Sequence, residues 1–390
     1  MQLKPIHDTF LPDLLKNEFG KEIFYSLNQH QHLSVRGFAG SSPSVYTAEL
    51  FLTYKKTILF LIEDKEEALY VTAEMEDLLG KENVLYFPAS HLEPYQIEKT
   101  QNANLVLRTE VINKLTSGTR PKVIVASFSA LAEKVLKKKD FNAISHKIKA
   151  GENLDFDFTE ELLQQFNFNL TDFVSEPGEF SVRGGIVDVF SYSNEEPYRL
   201  TFFGNEIESI KTFNIETQLT NGKVSEFQLV SNMNFASSVD KVSLLELLPK
   251  ESFILSKNAF AGIKKIKEFY EKAEEKFALF TNDIRHQTPE ELFLSETGLL
   301  NDYQKFRTVD FTLDQLNAEG FNSHLLEISQ TQQPSFHKNF ELLIEDLQEK
   351  QQDNFDIWIS FSTEKQKERL ESIFEDMSYS QNSTNDNDSL

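Results

Sequence analysis

The stretch KKTILFLI, Lys55 to Ile62, limits what this chain can fold into more than any other part of it. A continuous apolar run of strand length, without polar alternation, belongs in a strand covered on both faces. KVIVAS, Lys122 to Ser127, has the same character, and NVLYF, Asn83 to Phe87, supplies a further strand between them. A helical pattern follows the first strand: Ala68, Leu69, Thr72, Met75, Leu78 and Leu79 recur at helical spacing, and Gly80 stands where a left-handed C-terminal cap belongs. Ser127 or Ser129 is placed to cap another helix running through Leu131 and Val135. Strands alternating with helices predict an α/β domain with a parallel sheet over residues 1–142.

Near residue 143 the pattern changes. Turn chemistry at Gly151-Glu152-Asn153 precedes a short amphipathic helix carrying Leu162, Leu163 and Phe166. From Glu179 to Phe213 the segments EFSVR, GGIVDVFSY, EPYRLTFF and EIESIKTF read as an antiparallel meander, the centre of an inserted α+β domain over 143–232. Gly204-Asn205 suits a two-residue hairpin loop, because glycine accepts the positive φ needed at its first position. Residues 233–332 read as a return that completes the first domain, with an amphipathic helix from Ile263 to Phe280. Residues 333–380 open a partial further α/β domain, with DIWISF, Asp356 to Phe361, as its strand. The polar end, 381–390, reads as a disordered tail. The length of 390 residues fits roughly two to four such units.

Charge narrows the function. With 62 acidic against 39 basic residues, the formal charge is −23, and the chain lacks the cationic footprint on which nucleic-acid and anionic-membrane binding depend. A protein partner with a complementary patch stays open. There is no cysteine, so disulfides, thiolate nucleophiles and Cys-ligated metals are excluded. No leader-like segment opens MQLKPIHDTF and no run reaches membrane-spanning length, which predicts a cytoplasmic protein.

The candidate chemical sites are sparse. RGFAGSSPSVYTAEL, Arg36 to Leu50, is a glycine-containing turn entering a helix, with Gly37, Gly40, Ser41 and Ser42 in the place of a phosphate loop. Pro43 follows where a working loop needs its lysine, so the turn is read as degenerate and ATP hydrolysis is not expected. His30 and His32 lack accompanying ligands and read as surface histidines; no metal, cofactor or nucleophile is predicted. The meander is more informative. Arg199, Thr201 and Phe203 point to one face of their strand, and Tyr198, Leu200 and Phe202 to the other. Uninterrupted pairing across the turn sets Phe203 opposite Glu206, Thr201 opposite Glu208 and Arg199 opposite Ile210. An arginine and an aromatic on a stiff strand face form the composition of a binding hot spot, although a solvated face with one packed Phe has the same composition.

FVSEPGEFSVRGGIVDVFSYSNEEPYRLTFFGNEIESIKTFNIETQ, Phe173 to Gln218, closely resembles the domain that UvrB and the transcription-repair coupling factors share for binding UvrA. The turn GFAGSSPSVYTAEL and the segment FPASHLEPY, Phe87 to Tyr95, resemble the coupling factors rather than UvrB, which keeps an intact ATP-binding loop and a tyrosine-rich DNA hairpin. The resemblance implies UvrA contact through Arg183, Arg199 and Phe203; Glu208 on the neighbouring strand is added to that set. It further implies that RNA polymerase binding and ATP-driven movement on DNA reside in parts of a longer protein, and that this chain is not itself an enzyme. A UvrB-like ATP-dependent damage-binding component and an autoinhibitory module are the alternatives.

Overall fold

The first sheet grows from strands that alternate with helices. β1 (His32–Arg36), α1 (Ser42–Tyr54), β2 (Ile58–Ile62), α2 (Lys65–Leu79), β3 (Val84–Phe87), α3 (Asn102–Ser117) and β4 (Val123–Ser127) follow in order. The computed structural model describes residues 21–385 except 91–92, 96–101, 119, 193, 195, 232–239, 281–286, 312–316, 319–320, 356, 360 and 362. The expected N-terminal reading and residues 386–390 lie outside this range. β2 and β4 are buried along their whole length, as an apolar run without alternation requires. At the head of α2, Asp64 accepts hydrogen bonds from the N–H groups of Glu66 and Glu67, satisfying donors that the helix leaves free. Gly80 ends that helix with φ 83° and ψ 143°, a positive φ but extended rather than left-handed helical.

The next helix differs from expectation. It spans only Phe128–Leu131, Ser127 makes no capping bond, and the Ser127 and Ser129 hydroxyls pair with each other at 2.8 Å. Val135–Leu136 instead form a strand against Lys241–Val242. The chain leaves the first sheet and returns to it side by side through this pair, which is a long-range contact that local periodicity does not report.

α4 (Phe156–Gln165) is followed by β5 (Asn169–Leu170), β6 (Glu179–Arg183), β7 (Ile186–Val189), β8 (Tyr198–Phe203), β9 (Glu206–Phe213) and β10 (Thr220–Val224). These form a second sheet in the order β10-β9-β8-β7-β6-β5, antiparallel except for β5 against β6. Its inner face, with Phe180, Val187, Leu200, Phe202, Ile207 and Ile210, packs with Leu162 and Leu163 of α4. A separate pair, Ser145–Lys149 with Glu226–Val230, brackets the excursion.

β11 (Phe253–Lys257), α5 (Ala259–Ala278), β12 (Arg307–Phe311) and β13 (His324–Glu327) then complete the first sheet. Its seven strands run in parallel in the order β13-β1-β12-β11-β2-β4-β3. The result is an α/β fold with a parallel sheet and a separate, mostly antiparallel sheet domain. Beyond it lie α6 (Phe340–Gln352) and α7 (Glu364–Asn385). The expected strand at Asp356 to Phe361 is absent from Ile357–Ile359, because extended backbone needs a ladder partner and no strand among the described residues pairs with it. α7 also runs through 381–385, part of the expected disordered tail; no glycine or proline interrupts the sequence there.

Candidate protein-docking site

The outer face of the second sheet is organised around a buried carboxylate. Asp188 lies opposite Arg199 on the β8 side and opposite Ser181 on the β6 side, and it is 0% exposed. Arg199 donates to it twice, Nε to Oδ1 at 2.7 Å and Nη2 to Oδ2 at 2.8 Å. Arg183 donates from Nη2 to the same Oδ2 at 2.6 Å. The paired geometry is the strong form of a guanidinium–carboxylate bond, and it raises the Arg199 pKa above its ordinary value.

The surrounding segments complete the cradle. Arg183 lies 5.0 Å over the Phe173 ring and Arg199 4.6 Å over the Phe213 ring, both within cation–π reach. The turn after β9 explains why Asn214 and Gln218 stand where they do. Asn214 Oδ1 accepts from the N–H groups of Glu216 and Thr217, which tightens the turn. Gln218 then offers its carbonyl to Arg199 Nη1 at 3.1 Å, while its amide donates to the carbonyls of Val174 and Ile215. Val174, Phe190 and Phe213 form a small buried cluster beneath this arrangement.

Phe203 stands at the far end of β8, 80% exposed. The strand alternates as parity predicts, with Tyr198, Leu200 and Phe202 buried. The tip carrying Phe203 is clamped from the side: Gly151 N–H donates to Ile207 O, Ile207 N–H to Glu152 O, and Leu154 N–H to Asn205 O. Gly204 has φ 61°, the conformation for which the turn needs glycine. A phenyl ring held on so constrained a hairpin loses little freedom when a partner covers it.

The register corrects one expectation. Phe203 does face Glu206, but Thr201 pairs with Ser209 and Arg199 with Lys211. A bulge between Thr201 and Phe202 leaves Glu208 as the extra residue. Ile207 and Ile210 are three residues apart, so strict alternation would send one of them to solvent; the bulge resets the phase and both are fully buried. Glu208 is exposed on that bulge and does not sit opposite Thr201. The parity argument had joined Arg199 and Phe203; it missed Asp188, Phe173 and the Gln218 carbonyl. The Asp inside the apolar IVDVF run was the available signal, since a carboxylate there requires a cationic partner.

The degenerate loop is filled by its own chain. Gly37 has φ 96°, and a Cβ there would meet the Ile328 carbonyl oxygen at 1.8 Å. The Ala39 N–H donates to Gln330 Oε1, and the Ser42 hydroxyl donates back to the Ala39 carbonyl. Ser41 and Ser44 both donate to the Glu74 carboxylate at 2.6 Å. Gly40, with φ 56°, lies beside a cleft of about 370 Å³ whose walls include Glu63, Glu67 and Lys257. Lys257 is already paired with Glu67 at 2.5 Å. Elsewhere, His30 stacks on His324 with ring centroids 4.0 Å apart, and His32 Nδ1 lies 3.1 Å from the Thr308 hydroxyl.

Residues 147–235, which hold the guanidinium pair and its hairpin, match the family described as the UvrB interaction domain. Over those residues the chain is similar to that family. It is related to transcription-repair-coupling factors: it is 31% identical over 182 residues to that of Bacillus subtilis (strain 168), covering 47% of this chain and 15% of the relative. It is 29% identical over 215 residues to that of Myxococcus xanthus, 54% and 18%, and 22% identical over 280 residues to that of Staphylococcus haemolyticus (strain JCSC1435), 71% and 23%. The chain thus spans from 15% to 23% of the length of these relatives.

Proposed function

We propose that this chain docks UvrA in transcription-coupled nucleotide excision repair, through the outer face of its second sheet. Arg183 and Arg199 supply charge-assisted hydrogen bonds to a carboxylate of UvrA, Phe203 fills an apolar pocket, and Glu208 meets the partner at the rim. The observation that carries this reading is the pair of guanidiniums fixed on one buried carboxylate, beside an aromatic ring 80% exposed at a clamped hairpin tip. Such a surface combines cationic, aromatic and rigid features where the rest of the chain is acidic.

The chain acts in the cytoplasm as an adaptor without ATPase activity. RNA polymerase binding and movement on DNA belong to other parts of a longer coupling factor. In domain terms, residues 1–142 and 233–332 together build the degenerate nucleotide-loop unit, 143–232 the docking unit, and 333–380 the start of a further one. Titration of purified UvrA against the chain tests the reading. Arg183→Ala, Arg199→Ala and Phe203→Ala should each weaken binding by roughly 1–3 kcal/mol, the range of interface hot spots. Parental affinity in all three variants would remove this face from the interaction.

A further inference from the structure

The docking face has a charge of its own that differs from the sum of its arginines. Asp188 is shared: one oxygen takes Arg199 Nε, the other takes Arg199 Nη2 and Arg183 Nη2 together. Two guanidiniums and one carboxylate leave this cluster with a single net positive charge, and the exposed Lys211 opposite Arg199 and Lys223 beyond it are offset by the exposed Glu206 and Glu208. Of the five N–H donors that a guanidinium carries, Arg199 uses three inside the fold, leaving one on each terminal nitrogen. Those two donors, fixed in place, suit one carboxylate, while Arg183, with its single hydrogen bond to Asp188, keeps further donors beside them.

The apolar surroundings fit the same kind of ligand. Phe173 is 61% exposed beneath Arg183, and Leu219, next to the carbonyl that holds Arg199, is 70% exposed. Nucleic-acid surfaces are met by many unopposed cations, not by a few cations balanced by carboxylates among exposed apolar side chains. Neighbouring carboxylates on β9, Glu206 and Glu208, are exposed and further oppose a polyanion.

We propose that Asp188 is the positioning residue of the docking face: by holding both guanidiniums and cancelling one of their charges, it tunes the surface to a single partner carboxylate flanked by apolar side chains, with Phe173 and Leu219 as further anchors, and against phosphate-rich polyanions. This rests on the UvrA reading, whose specificity it explains. Without Asp188 the two cations would repel each other, swing into solvent and lose the geometry that the partner meets.

The test compares the parent chain with Asp188→Asn, Phe173→Ala and Arg199→Ala, titrating each with purified UvrA and, separately, with a short DNA duplex at low salt. Asp188→Asn should lower UvrA affinity about tenfold and raise duplex affinity, because the net charge of the face doubles. A merely structural role for Asp188 would lower UvrA binding without improving the duplex. Phe173→Ala should weaken UvrA about fivefold with an unchanged melting temperature, as expected for an exposed anchor. If Asp188→Asn does not fold, Asp188→Glu, which keeps the charge but not the geometry, takes its place: it should lower UvrA affinity without raising duplex affinity, and parental UvrA affinity would overturn the positioning role. Arg199→Ala separates the two readings: loss of UvrA binding there, with parental affinity in the other variants, overturns the role of Asp188 and Phe173 only, whereas parental affinity in all three overturns the docking site as well.

Discussion

Arg199 and Phe203 share a strand, yet their truncation should have different consequences. Phe203 is mostly in water already, so Phe203→Ala should leave the thermal midpoint nearly unchanged while weakening the partner. Arg199→Ala strips Asp188 of its bidentate donor and leaves a wholly buried carboxylate held by Arg183 alone. Breaking one side of such a pair costs about 3–5 kcal/mol when the remaining charge stays buried, and Arg183 should recover part of that. Chemical denaturation of the two variants checks the contrast; equal midpoints would mean that Asp188 is not the centre of this face. A second titratable prediction lies at Glu49 of α1, buried in the first domain with Oε2 unpartnered among the described residues. Burial pushes its carboxyl up to about 7. The folded value exceeds the unfolded one, so the native state holds the extra proton, and this group makes stability fall as pH rises from the usual carboxylate range through about 7. Glu49→Gln should therefore gain on the parent by roughly 1–3 kcal/mol between pH 4 and pH 8. Urea unfolding at both pH values measures it, and an unchanged difference would mean that the carboxyl is not strained.

The bulge in β9 is the element that makes the hairpin usable. Deleting Glu208 would remove the extra residue and leave Ile207 and Ile210 two positions apart, both still inward, so the core should survive while the twist that the bulge gives the hairpin is lost. The variant should unfold in urea within about 1 kcal/mol of the parent yet bind UvrA more weakly through its altered hairpin geometry; a large loss of stability would show that the bulge itself holds the sheet together. The same element marks how far the sequence could be read. Strands EFSVR and EIESIKTF were legible to the residue, because turn chemistry and alternation are local properties. The register between them was not, since the Ile207–Ile210 spacing demanded a bulge that an alternation template does not contain. Arg199 and Phe203 were legible as face-mates by parity, and the family resemblance supplied Arg183. Asp188 stayed hidden because its partners come from separate strands, and Phe173 because its segment carries no period. Val135 was misread as helical for the same reason: its pairing with Lys241–Val242 lies across an inserted domain.

At the scale of the whole molecule, the two sheets divide the work by what their loops offer. The parallel sheet ends in a turn whose glycines and serines resemble a phosphate cradle, but the donors there are already committed. Ala39 N–H goes to Gln330, the Ser41 and Ser44 hydroxyls to Glu74, and the adjoining cleft carries Glu63 and Glu67 with a lysine that is paired. A triphosphate entering this cleft would have to displace those bonds and approach three carboxylates, without the lysine that normally offsets its charge. Binding at one hundred times its Kd would stabilise the fold by about 2.7 kcal/mol and move the melting temperature by several degrees. Mg-ATP at millimolar concentration should instead leave the thermal transition of this chain within about 1 °C of its nucleotide-free position, since a ligand that does not bind the native state adds nothing to its stability. Replacing Glu74 with Gln should not rescue binding, because the missing lysine and the remaining acids are untouched. A clear upward shift with ATP would revive the reading of an ATP-dependent component for the first domain and confine the adaptor role to the second.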